Sequence, residues 1–83
     1  MHRILVVDDE QHIGWVISKA LEKDGYEVLE AANGEDCLCK LENQCLDLVI
    51  LDIRMPGTDG LELLKRLRKS NRDLPVIMIT AAF

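Results

Sequence analysis

Two short runs constrain this chain more than any other feature: "RILVV" at Arg3–Val7 and "LDLVIL" at Leu46–Leu51. Within each, the "LVV" and "LVIL" portions are apolar without the alternation that a strand with one wet face would show. β-branched runs of this kind fit strands covered on both faces, the situation of central strands in a parallel sheet. Two further strand-like runs are "YEVLEA" at Tyr26–Ala31 and "PVIMIT" at Pro75–Thr80. The former is more polar and is the better candidate for an edge.

Between the strands lie stretches with helical spacing. From Gln11 to Lys23, Ile13, Ile17, Ala20 and Leu21 fall on one helical face, and "KDGY" supplies a Gly for a left-handed cap. From Glu35 to about Glu42, Cys37, Leu38 and Leu41 repeat the pattern behind a candidate N-cap at Asn33. In the third helix Leu61, Leu64 and Leu67 mark the expected inner face, with Thr58 or Asp59 as its cap. Strands alternating with helices over short connections imply right-handed crossovers and a doubly wound α/β layout with helices on both faces.

A length of 83 residues suits one small domain with a marginal core. Apolar content of 48% with 30% charged residues belongs to globular rather than disordered chains. The net charge of −5 argues against non-specific binding of nucleic acid or an anionic membrane by this segment. The apolar runs are too short to span a membrane, and "MHR" leads straight into a strand pattern instead of a signal peptide, so the expected location is the cytoplasm. Cys37, Cys39 and Cys45 suit neither a disulfide framework nor a paired zinc site and read as reduced thiols.

The first strand runs directly into Asp8, Asp9 and Glu10. Carboxylates about 5 Å apart repel by roughly 3 kcal/mol per pair at an effective dielectric near 20, so such a cluster needs a cation, a proton or full solvation. In open parallel sheets, ligands bind beyond the carboxyl ends of the strands. There this chain places Asp8 and Asp9 after the first strand, Asp52 at the end of the third and Thr80 at the end of the fourth. Converging carboxylates without Cys or His form a hard, all-oxygen site that suits Mg²⁺ and tolerates Mn²⁺ or Ca²⁺. His2 and His12 do not lie at strand ends and are assigned no role.

The segment "LDIRMPGTDGLELL" resembles the phosphorylation-site signature of bacterial response-regulator receiver domains, and "ILVVDDE" resembles that family's acidic opening. Thr80 in "VIMITAA" matches its hydroxyl residue after the fourth strand. The resemblance implies a flavodoxin-like sheet in the order second-first-third-fourth. It implies Asp52 as the nucleophile that takes a phosphoryl group, Asp9 as a direct Mg²⁺ ligand and Asp8 as a ligand directly or through water. The backbone carbonyl of Arg54 would be a further ligand, Thr80 would hydrogen-bond a phosphate oxygen, and Ala81 would leave room for the phosphodonor. Met55, Pro56 and Gly57 would form a rigid turn holding the Asp52 loop. The implied partners are a sensor histidine kinase and an effector domain or protein outside this chain with a transcriptional output. "IGWVISKALEKDGYEV", centred on Trp15, further resembles the receivers of nitrogen-regulation-type, sigma-54-dependent activators.

The family's usual unit continues past Thr80 through a helix, a fifth strand and a last helix, whereas this chain stops at Phe83. The expectation is therefore a single receiver domain over residues 1–83, incomplete at its C-terminus and without the fifth-strand Lys that pairs with the acyl phosphate. Phosphorylation should be weak, and the unpaired edge of "PVIMIT" should promote self-association. A signalling phosphoacceptor is expected rather than a conventional enzyme. An aspartate-nucleophile phosphatase is the alternative, but it would want an acid where Arg54 stands. A pseudo-receiver serving only as an interaction module is disfavoured by Asp8, Asp9, Asp52 and Thr80 together.

Overall fold

The protein is described by a computed structural model over residues 2–55, 58–70 and 73–79. Its main sheet holds β1 (Arg3–Val7), β2 (Glu27–Ala31), β3 (Leu48–Asp52) and β6 (Val76–Ile79), all parallel, in the order β2-β1-β3-β6. This is the expected second-first-third-fourth order. Between β3 and β6 the chain adds a two-stranded antiparallel ribbon, β4 (Arg54–Met55) with β5 (Thr58–Asp59), which the sequence patterns did not announce. Helices α1 (Gln11–Lys23), α2 (Gly34–Asn43) and α3 (Gly60–Ser70) fill the connections.

The unbroken apolar runs behave as their composition requires. Ile4, Leu5, Val6 and Val7 of β1 and Val49 and Leu51 of β3 are all buried. Leu5, Val7, Val49 and Leu51 point to the α2 and α3 side, where they meet Cys37, Leu63, Leu67 and Leu74. Val6, one step out of phase, shares a cleft with Gly14 and Trp15 of α1 on the opposite face. Residues of alternating direction in a strand thus each find a helical layer. The more polar β2 lies at an edge, as its composition predicts.

The caps explain the helix boundaries. Asn33 accepts a hydrogen bond from the Asp36 N–H at 2.8 Å and starts α2. At the end of α1, Gly25 takes φ 91°, its N–H donates to the Glu22 carbonyl and the Tyr26 N–H donates to the Leu21 carbonyl. That pair of bonds closes a Schellman motif, and the left-handed residue it requires is best supplied by Gly. Cys37 is buried while Cys39 and Cys45 are exposed, all three as free thiols. Burial pushes the Cys37 thiol up to about 11, with the nearby Asp36 charge adding to the shift and Lys40 opposing it.

Two expected inner faces are corrected. In α3 the buried leucines are Leu63 and Leu67, whereas Leu61 is 55% exposed and Leu64 only partly buried. Leu61 and Leu67 stand six positions apart, about 120° around the axis, so both cannot face one core; Leu63 and Leu67 differ by only about 40°. In α1, Ala20 is exposed, and the small residues Gly14 and Ser18 are buried beside the half-buried Ile13, Ile17 and Leu21. Leu67→Ala is expected to cost about 2–5 kcal/mol and Leu61→Ala no more than about 0.5 kcal/mol. Urea unfolding of the two variants against the parent checks this assignment.

Candidate functional site

The register of the sheet brings the acidic residues together. Val7 lies opposite Leu51 in the β1–β3 pair, so Asp8 and Asp52, each one residue further on, leave adjacent strands at the same level. Neighbouring strands are only about 4.8 Å apart. Asp9 follows in the turn before α1, and carboxylate oxygens from Asp8, Asp9 and Asp52 all lie within 4.8 Å of one another. Asp8 and Asp52 are 6% and 5% exposed, whereas Asp9 is open to solvent.

Backbone bonds fix this arrangement. The Asp8 N–H donates to the Ala31 carbonyl at 3.0 Å, extending the β1–β2 ladder one step beyond the strand. One Asp8 carboxylate oxygen accepts the Glu10 N–H at 2.8 Å, while the Glu10 side chain turns back to accept the His12 N–H and caps α1. Beyond Asp52, the Ile53 N–H donates to the Ile79 carbonyl at 2.9 Å and the Ile53 carbonyl accepts the Gly60 N–H at 3.3 Å. The peptide after Asp52 is therefore held by β6 on one side and by the start of α3 on the other. Asp59 accepts the Leu61 N–H at 2.9 Å and supplies the α3 cap, the second of the two expected candidates.

Of the residues singled out in the sequence, Asp8, Asp9 and Asp52 meet in one cluster. Arg54 contributes its backbone to β4, two residues past Asp52. Thr80 and Ala81 lie outside the described residues, as do Pro56 and Gly57 of the expected turn. His2 pairs with Asp47 at 3.7 Å and His12 is exposed on α1, both apart from the cluster. Trp15 is 54% exposed on α1, and it lines the cleft that also contains Asp8. Gly60, within "LDIRMPGTDGLELL", is assigned no role by the sequence patterns. The signal that could have found it is a residue without a side chain at the point where a helix begins against a strand end.

Burial raises the Asp8 pKa above the usual carboxylate range. The charges of Asp52 and Asp9 and a side-chain hydrogen bond to Asp52 act in the same direction, while the bond from the Glu10 N–H opposes them. The folded protein thus holds a proton on Asp8 more tightly than the unfolded chain does. This contribution to stability is fully present below the ordinary value of 3.8 and is lost as pH rises through the raised folded value. In metal-free protein, Asp8→Asn is expected to flatten that decline and to stabilise the fold at neutral pH by on the order of 1–3 kcal/mol, the scale of one relieved carboxylate repulsion. Urea unfolding in the presence of a chelator, repeated from about pH 4 to pH 7, measures both effects.

Comparison with known proteins agrees with this geometry. The response regulator receiver domain family matches residues 4–83. PhoP, the alkaline phosphatase synthesis transcriptional regulatory protein of Bacillus subtilis, is 43% identical over 79 residues, which is 95% of this chain but 33% of PhoP. The DNA-binding transcriptional regulator NtrC of Salmonella typhimurium is 42% identical over 78 residues, covering 94% of this chain and 17% of NtrC. Such even identities do not single out the nitrogen-regulation type. Among solved structures, the response regulator TrrA of Thermotoga maritima in complex with Mg²⁺–BeF superposes with a TM-score of 0.93 at 48% identity, over 99% of this chain and 71% of TrrA. TrrA in complex with the histidine kinase ThkA gives a TM-score of 0.91, over 98% of this chain and 70% of that one. The chain spans about a third of PhoP and a smaller share of NtrC. It belongs to the response regulator receiver domain family.

Proposed function

We propose that Asp52 is the phosphoacceptor of this receiver and that Asp8 and Asp9 hold Mg²⁺ beside it. The observation that carries this reading is the convergence of three carboxylates on the rim of two adjacent central strands. Their oxygens form a hard donor set, and three acidic groups leave room in an octahedral shell for water and phosphate oxygens. The backbone carbonyl of Arg54 and the Thr80 hydroxyl complete the proposed set, the first toward the metal and the second toward a phosphate oxygen. When bound, Mg²⁺ offsets the charge that would otherwise set these carboxylates against an incoming phosphate.

The donor in this reading is the phosphohistidine of a sensor kinase, a partner class supported by the TrrA–ThkA complex. An Asp52 carboxylate oxygen attacks phosphorus and the phosphorus–nitrogen bond breaks, which leaves an acyl phosphate on Asp52 and the electron pair on the imidazole. Asp52 suits the attack because its strand end is locked on both sides by backbone bonds through Ile53. Asp8 commits one oxygen to the Glu10 N–H, which leaves its other oxygen for the metal. The output is read by an effector outside this segment, transcriptional by analogy with PhoP and NtrC. No helix among the described residues is long and apolar enough to cross a membrane, and we place the domain in the cytoplasm with its kinase's catalytic part.

In the presence of Mg²⁺ a small acyl or amido phosphate is expected to label Asp52 alone, located by borohydride trapping and mass spectrometry. Label on Asp8, or label surviving in Asp52→Asn, would overturn the assignment. Beryllium fluoride should compete for the same carboxylate.

A further reading concerns the isolated segment, one module of 83 residues. Among the described residues β6 is an edge of the sheet and Ile77 on it is 50% exposed, so we infer that the segment self-associates through this strand. Sedimentation at micromolar concentration should show a dimer, and Ile77→Lys should return it to a monomer.

A further inference from the structure

We propose that Gly60 is a positioning residue for the Asp52 site, fixing the peptide units that join the phosphoacceptor to the Arg54 carbonyl. The inference rests on the reading above, in which Asp52 and that carbonyl act on the same Mg²⁺. A β-carbon built at Gly60 falls 2.7 Å from the Ile53 Cα, 2.8 Å from the Ile53 carbonyl oxygen and 2.9 Å from the Asp52 carbonyl oxygen. All three neighbours are backbone atoms, so no flexible side chain can swing aside. To reach an ordinary contact of at least 3.4 Å, either α3 must retreat or residues 52–53 must move.

Neither move is free. α3 is anchored by Leu63 and Leu67, 3% and 0% exposed in the core, and by the Asp59 cap. Residues 52–53 are pinned from the far side by the bond from the Ile53 N–H to the Ile79 carbonyl at 2.9 Å. Their own carbonyl faces Gly60, accepting its N–H at 3.3 Å. The backbone between Asp52 and Arg54 is therefore clasped between β6 and the first residue of α3, and only the absence of a side chain at position 60 lets the clasp close. The consequence for a metal is specific. Mg²⁺ demands near-octahedral geometry at about 2.0–2.1 Å, and a workable site keeps its ligand distances within about 0.2 Å. The displacement that one methyl group would force exceeds that tolerance.

The test separates positioning from stability by pairing two variants. Gly60→Ala acts on the clasp, whereas Gly25→Ala strains the left-handed end of α1, away from the site. Mg²⁺ affinity is read from backbone amide shifts, stability from urea unfolding. The expected result is that Gly60→Ala weakens Mg²⁺ binding roughly tenfold or more, as loss of ligand support does at other metal sites. Gly25→Ala should lower stability yet keep the parent affinity within about twofold, since the two positions share no partner. A folded Gly60→Ala that binds Mg²⁺ like the parent overturns the inference. Should Gly60→Ala not fold, the parent decides: the Gly60 amide resonance must move with Mg²⁺ along the same isotherm as that of Asp52. A Gly60 amide that stays fixed while Asp9 and Asp52 respond is equally fatal. A parent in which no resonance responds to Mg²⁺ instead refutes the metal reading itself, and the clasp's role with it.

Discussion

Two buried parallel strands that end in acid at the same level impose the organising constraint on this protein. Pairing of Val7 with Leu51 leaves Asp8 and Asp52 no choice but to stand side by side, and Asp9 joins them from the next position. The apolar residues just behind are among the most deeply buried in the molecule, so the strands cannot slip to separate the charges without exposing Leu5, Val7, Val49 and Leu51. Burial raises the Asp8 pKa, and the charges of Asp52 and Asp9 push it the same way. The core thus holds three carboxylates together at one rim, two of them buried and one open to solvent.

Around this centre the backbone does more positioning than the side chains. Asp8 is oriented by the Glu10 N–H, its strand is prolonged by the bond to Ala31, and the peptide after Asp52 is gripped through Ile53 from two directions. The short β4–β5 ribbon belongs to the same system. It carries the chain away from Asp52 and returns it to the start of α3, pairing Arg54 with Asp59 and Met55 with Thr58.

Much of this was legible in the residues. Non-alternating runs marked the central strands, a polar run marked the β2 edge, and Asn33 and Gly25 announced their caps because capping chemistry is local. Convergence of Asp8, Asp9 and Asp52 could be reasoned from strand ends once β1 and β3 were taken as neighbours. What escaped was whatever depended on phase or on close contact between distant segments. An i, i+3, i+6 row of leucines looks amphipathic in α3, yet it drifts around the axis, and the core chose Leu63 with Leu67. The β4–β5 ribbon is too short to carry a periodic signal. Gly60 owes its importance to atoms of Ile53 and Asp52, which no pattern centred on one residue reveals.

The three thiols divide by environment in a way that is useful at the bench. Cys37 sits in the core with its pKa pushed to about 11, so at neutral pH almost none of it is the thiolate that reacts with maleimides or peroxide. Cys39, toward the C-terminal half of α2, and Cys45, just beyond that helix, are exposed. Because α2 runs back from the carboxyl edge of the sheet, both lie toward the end opposite the acidic rim. A thiol-directed fluorophore or spin label would therefore attach at that remote end of the native protein, leaving the core thiol and the carboxylates untouched, and Cys37 would become reactive only on unfolding.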